Sequence, residues 1–121
     1  MNQKQWTISS SRAKDLKRKS ERTGDFLRRM FVGILRGAQH GHFLLKENGS
    51  VIAEVGDRND CLQAEVDVLD SRSYARALLG GNTAAGEAFV DGWWTSPDIT
   101  QVTRFFSRNL EMMDRWDKKF G

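Results

Sequence analysis

Three groups of residues in this chain have side-chain types that can do chemistry. The first is the stretch Leu79-Gly80-Gly81-Asn82-Thr83-Ala84-Ala85-Gly86-Glu87-Ala88-Phe89-Val90-Asp91-Gly92-Trp93-Trp94. Glycines ahead of a short helix can offer backbone N–H groups to a phosphate. That chemistry is incomplete here, because there is no G-x-G-x-x-G spacing and no Lys-Ser or Lys-Thr pair, and the preceding element reads as helical. The second is Glu87, a lone carboxylate beside aromatic residues. General acid–base work needs a partner group and a substrate position. Glu87 is therefore expected to cap its short helix or to pair with Arg76 or Arg104. The third is His40, His42 and Cys61. Two His at i, i+2 on a strand share a side, but one distant Cys does not complete a zinc-ligand spacing, so no metal is expected. Nor does Cys61 have an activating partner in sequence, which argues against a nucleophile.

The chain that must position these residues has 121 residues, enough for one domain. Hydrophobic residues make up 39% and charged residues 29%, the balance of a modest core under a solvated surface. Four Trp and seven Phe exceed what so small a core needs, so some rings are expected at an interface. No apolar run approaches the roughly 18 residues of a membrane span, and the first residues lack the apolar segment of a secretory signal. A single cysteine forms no internal disulfide and suits a reducing compartment.

Charge is unevenly placed. Residues 1–40 hold ten Lys or Arg against Asp15, Glu21 and Asp25, a net +7, while residues 41–121 carry a net −4. The reading is a basic, flexible arm at 1–22 joined to a single, mildly acidic domain at 23–121. Such an arm meets an anionic membrane, nucleic acid, or only water. Nucleic acid is the weaker reading, since the arm has no interleaved aromatics for base stacking and no helix-turn-helix or RNP-like signature is present.

Within 23–121 the periodicities alternate. Phe26, Leu27, Met30, Phe31, Ile34 and Leu35 recur at helical spacing, with Gly37 as the stop. Two apolar runs, 41–46 and 50–55, flank Glu47-Asn48-Gly49 and predict a hairpin. Strict alternation over Leu62-Gln63-Ala64-Glu65-Val66-Asp67-Val68 predicts a third strand with one wet face. A short helix capped by Asp70 or Ser71 should end at Gly80-Gly81, and a second should run from about Thr83 to Val90. Ser96-Pro97-Asp98 predicts an N-cap, a first-turn proline and a first-turn acid for a long last helix carrying Ile99, Val102, Phe106, Leu110, Met113, Trp116 and Phe120. Phe105, Met112 and Phe120 would widen that stripe into an exposed partner surface. The predicted class is α+β: an N-terminal helix, a small antiparallel sheet with a hairpin, then C-terminal helices.

On these residues the chain resembles the N-terminal domain of cyclopropane-fatty-acyl-phospholipid synthases. That family carries a segment close to G-x-L-G-L-G-E-x-Y-M-D-G-W-W ahead of its methyltransferase domain. Gly81, Gly86, Glu87, Phe89 (in the Tyr place), Asp91, Gly92, Trp93 and Trp94 match it, while Thr83, Ala84 and Ala85 depart from Leu-Gly-Leu. Gly41-His42-Phe43-Leu44-Leu45 resembles the family's early strand, and Asp67-Val68-Leu69-Asp70 with Tyr74 and Leu78-Leu79 its strand-to-helix passage, so the similarity spans 26 to about 110. The resemblance implies a sterol-carrier-protein-2-like domain that helps a synthase engage phospholipid. Catalysis and S-adenosylmethionine would belong to a separate Rossmann-like domain, because no βαβ unit with a glycine-rich loop is present in these 121 residues. The chain is thus expected to be no enzyme by itself and to hold no cofactor, either as an excised domain or as a stand-alone relative.

Partners implied are an anionic phospholipid surface, a methyltransferase domain in cis or in trans, and a second copy in a homodimer. The implied location is cytoplasmic, peripheral to the inner membrane. Gly86, Glu87, Phe89, Asp91, Gly92, Trp93 and Trp94 would make the lipid or interdomain contact, and Arg12, Lys14, Lys17, Arg18, Lys19, Arg22, Arg28 and Arg29 the membrane electrostatics. A variant of the same reading is a carrier for a small apolar ligand in a cavity between sheet and helices.

Overall fold

Asn48 and Gly49 adopt φ of 48° and 86°, the left-handed pair that a two-residue hairpin turn demands, and the chain doubles back there. The computed structural model describes residues 22–114. Helix α1 occupies described residues 22–35, followed by β1 (His42–Glu47), β2 (Ser50–Gly56) and β3 (Gln63–Val68). Then come α2 (Arg72–Val90), the two-residue β4 (Trp94–Thr95) and α3 (Ile99–Arg108), with a further helical turn at 110–114. This is the expected α+β order.

The sheet is mixed rather than antiparallel. Its strand order is β2-β1-β3-β4, and β1 pairs parallel with β3 while its other edge takes β2 antiparallel. A parallel neighbour usually needs a crossover of a dozen or more residues. Here the hairpin has already reversed the chain, so residues 57–62 need only pass beneath the end of β1. That passage is tight and heavily bonded. His42 N donates to Leu62 O (2.8 Å), and the Asp60 carboxylate accepts from Gly41 N (3.3 Å) and Leu62 N (2.8 Å).

The wet and dry faces follow the alternation. Ala64, Val66 and Val68 are buried with Phe43 and Leu45 under the helices. On the open face Lys46 meets Glu65 (3.3 Å), and His42 Nε2 lies 2.8 Å from Glu54 Oε1. Arg58 bonds both Glu54 oxygens, and that bond, with His42 beside it, holds the Glu54 carboxyl down at about 2.

Above the sheet, Leu35, Tyr74, Val102, Phe105 and Met112 complete the core, with Phe43 stacked against Phe105 and Phe106. Phe26 does not join it and stands 60% exposed. Three helical expectations are corrected. Phe105 and Met112 are buried, so they do not widen the stripe into an exposed surface, and Phe120 lies outside the described residues. The long last helix breaks at Asn109, whose backbone leaves helical geometry at φ −114°, ψ 37°. At its start Asp98, not Ser96, is the N-cap, accepting from Thr100 N and Gln101 N, and Pro97 lies outside the helix. The expected division of the 70–90 region appears as a kink in α2 at Gly81 (φ 66°, ψ −157°), a conformation essentially confined to glycine.

Candidate apolar site between sheet and helices

α2 ends where Gly92 turns left-handed (φ 80°), with Asp91 N and Gly92 N returning to Glu87 O and Phe89 O. The chain then folds back on itself. Trp93 O accepts from Leu69 N (2.8 Å), Asp70 N (2.9 Å) and Ser73 Oγ (3.1 Å), so the Asp-Gly-Trp-Trp turn is bound to the opposite end of α2. The Trp93 ring lies under two guanidinium groups, with Arg72 at 4.1 Å and Arg76 at 4.6 Å from its centroid. Arg72 is in turn held by Asp70, whose carboxyl it lowers, and Asp70 rather than Ser71 takes the first free N–H of α2. Trp94 points inward: its Nε1 donates to Ala85 O (2.8 Å) and its ring stacks on Phe89 at 4.9 Å. Glu87 pairs with Arg76 at 3.5 Å, the first of its two expected partners.

Behind this turn lies a cavity of about 360 Å3. Its floor is the dry face of the sheet (Phe43, Leu45, Val66, Val68). Its walls are Phe31 and Ile34 from α1, Tyr74, Leu78, Ala85, Gly86 and Phe89 from α2, Trp94, and Val102, Phe106, Leu110 and Met113 from the last helical segments. The polar side chains that reach it are few: Ser73, Tyr74, Asn82, Thr103 and Ser107. Ser73 Oγ is bonded to Trp93 O and Tyr74 O–H to Glu47 (2.6 Å), with Arg28 bonded to the same carboxylate. Burial first, and the hydrogen bond to Glu47 second, push the Tyr74 phenol far up, so it stays a neutral donor. A space walled by hydrocarbon, with its deeper polar groups already bonded, suits an apolar ligand.

The expected contact residues are therefore only partly brought together. Gly86, Phe89 and Trp94 line the cavity; Glu87, Asp91, Gly92 and Trp93 build the turn beside it. Of the expected membrane cations, Arg28 is engaged with Asp25 and Glu47, while Arg22 and Arg29 are exposed. Arg29 shares a shallow groove with Val32, Arg36 and Ile52. Arg12, Lys14, Lys17, Arg18 and Lys19 lie outside the described residues, as do Trp116 and Phe120. His40 precedes the strand that holds His42, and Cys61 is exposed. Among the described residues no group of three His, Cys, Asp or Glu could hold a metal ion. Among them, too, no helix is long and apolar enough to cross a membrane.

In the passages into α2 and α3, Leu69-Asp70-Ser71 and Ser96-Pro97-Asp98 carry no glycine, and each sets a carboxylate against the first N–H groups of its helix. Neither fits the anionic end of a nucleoside cofactor.

The wall from α1 and the bonded set of buried Tyr74 with half-buried Glu47 and Arg28 were not singled out from sequence. Tyr74 reads there as one more apolar helical position, and Glu47 as a turn residue. Compared with known proteins, the chain gives no significant match to a family model, a curated protein or a solved structure.

Proposed function

We propose that this chain is a non-catalytic, lipid-engaging domain that holds an acyl chain between its sheet and its helices. In this reading it serves a partner methyltransferase domain of the cyclopropane-fatty-acyl-phospholipid synthase type, in cis or in trans, which supplies S-adenosylmethionine and catalysis. The sterol-carrier-protein-2-like character and a peripheral place at the membrane belong to the same proposal. The observation that carries it is the apolar cavity of about 360 Å3. If each methylene takes roughly the 30 Å3 of a water in the liquid, about a dozen carbons fill it. The Gly-Glu-x-Phe-x-Asp-Gly-Trp-Trp resemblance supports the same reading, since Gly86, Phe89 and Trp94 of that segment wall the cavity.

The test is a titration of the full chain with a fluorescent single-chain fatty acid. Saturable binding at one site is expected. Filling the space by Ala77→Phe, or at an exposed lining position by Thr103→Trp, should weaken it by about tenfold or more while cooperative unfolding persists. Absence of binding to the unaltered chain, or indifference to both substitutions, would remove the reading.

A further inference from the structure

The cavity is open on one side, and the exposure of its lining shows where. Phe43, Leu45 and Val102 are buried, but Phe89, Ile99 and Leu110 line the space and are still 37%, 40% and 58% exposed. Asn82 and Gly86 on α2, and Thr103 and Ser107 on α3, are also both lining and exposed. The mouth therefore lies between the exposed side of α2 and that of α3.

This mouth is unusually apolar for a surface facing water. Leu79 and Val90, each next in the chain to a lining residue, stand 80% and 82% exposed. With Phe89, Ile99 and Leu110 they account for most of the large apolar side chains this domain leaves in the open. The charge beside them is mixed. Arg104 and Arg108 follow Thr103 and Ser107 on α3, are exposed, and have no ion pair among the described residues. Of the acids nearby, Glu87 is paired with Arg76, Asp98 is bonded to the start of α3, and Asp91 and Glu111 follow Val90 and Leu110 in the chain. Apolar side chains around an opening, flanked by unpaired guanidinium groups, match the boundary between acyl chains and phosphates.

We propose that the mouth of the cavity is the face that docks on an anionic phospholipid bilayer. Leu79, Phe89, Val90, Ile99 and Leu110 enter the interface, and Arg104 and Arg108 meet the phosphates. The inference rests on the acyl-chain reading above and gives it a direction. A mouth against the bilayer lets a chain pass from lipid to cavity without exposing its length to water. The groove holding Arg29, Arg36 and Ile52 has cations too, but the apolar cavity does not open there: α1 contributes only the half-buried Phe31 and Ile34 to it.

The experiment is flotation of the full chain with phosphatidylcholine vesicles, and with the same vesicles carrying roughly one quarter phosphatidylglycerol, against three double variants. L79D/V90D and R104E/R108E alter the mouth at residues that do not line the cavity; R29E/R36E alters the other groove. Fatty-acid titration without vesicles and thermal unfolding are run on each. The expected result is a roughly tenfold or greater loss of anionic-vesicle binding in both mouth variants, with fatty-acid affinity intact, and a smaller loss in R29E/R36E. Unchanged vesicle binding in the mouth variants, with loss in R29E/R36E, overturns the docking face. A chain that self-associates through Leu79 and Val90 while its vesicle binding ignores them also overturns it, making the mouth a contact between copies. If the mouth variants lose vesicle binding but no form of the chain takes up fatty acid, the docking face stands and the acyl-chain reading falls.

Discussion

Asn109 carries more of this structure than its position in the sequence suggests. It is 3% exposed, and its amide is fully used. Its Oδ1 accepts from Gln39 N (2.9 Å) and His40 N (3.0 Å), while its Nδ2 donates to His40 O (2.9 Å) and Phe105 O (2.8 Å). One side chain thus ties the loop after α1 to the end of α3, and the helix breaks where it does so. Asn109→Leu keeps the branched shape but removes the partner of two backbone N–H donors and of two carbonyls. The expected cost is about 2–3 kcal/mol, read as a fall of roughly 10 °C or more in the unfolding midpoint. A fall of only a degree or two would mean that water reaches the stranded groups. The sequence holds a faint trace of this residue: a polar amide inside an otherwise helical apolar stripe. Helical periodicity alone runs straight through it, and for that reason the last helix reads as continuous. The same blindness hid Tyr74 and Glu47, because a hydrogen bond between residues 27 apart leaves no local pattern.

At the scale of elements, the strands and the hairpin were legible because they rest on local rules. Asn48-Gly49 demands its turn, and the alternation over 62–68 separates Ala64, Val66 and Val68 from Gln63, Glu65 and Asp67. Strand orientation was not legible, since alternation is the same for parallel and antiparallel pairing. What permits the parallel β1–β3 pair is a close backbone crossing at Gly56 (φ +87°), where an added Cβ would sit 2.0 Å from Gly41 O and 3.1 Å from His42 Cα. Backbone cannot swing aside as a side chain can. Gly56→Ala is expected to destabilise the domain by about 3 kcal/mol, from positive-φ strain and displacement of the crossing together. Gly49→Ala, at φ +86° with open space around it, isolates the strain and should cost only about 1 kcal/mol. Urea unfolding of the two variants checks this, and equal midpoints would show that the crossing yields without cost. The cavity belongs to this scale as well. α2 and α3 both pack toward the sheet side but barely touch each other, and the kink at Gly81 turns the second half of α2 alongside the space left between them.

For the whole molecule, the proposed docking divides its work between a basic N-terminal segment and a domain with its own apolar mouth. Residues 1–21 hold six Lys or Arg against Asp15 and Glu21, a net +4, and without them the chain would carry −1. Each cation near an anionic bilayer is worth on the order of 1 kcal/mol, and the attraction fades within a Debye length of about 8 Å at physiological ionic strength. Under the proposed docking, the segment would supply long-range, salt-sensitive attraction. The mouth would supply short-range contact that salt leaves largely intact, because buried hydrocarbon carries no charge to screen. Deleting residues 1–21 should lower affinity for anionic vesicles by about tenfold or more at low salt, and by progressively less as salt is raised. Fatty-acid uptake should be unaffected, since the described residues that line the cavity lie between 31 and 113. The L79D/V90D pair should show the converse, a loss that persists at high salt. A deletion whose deficit is independent of salt, or one that also abolishes fatty-acid uptake, would mean that the segment belongs to the folded domain and that the division between steering and contact is wrong.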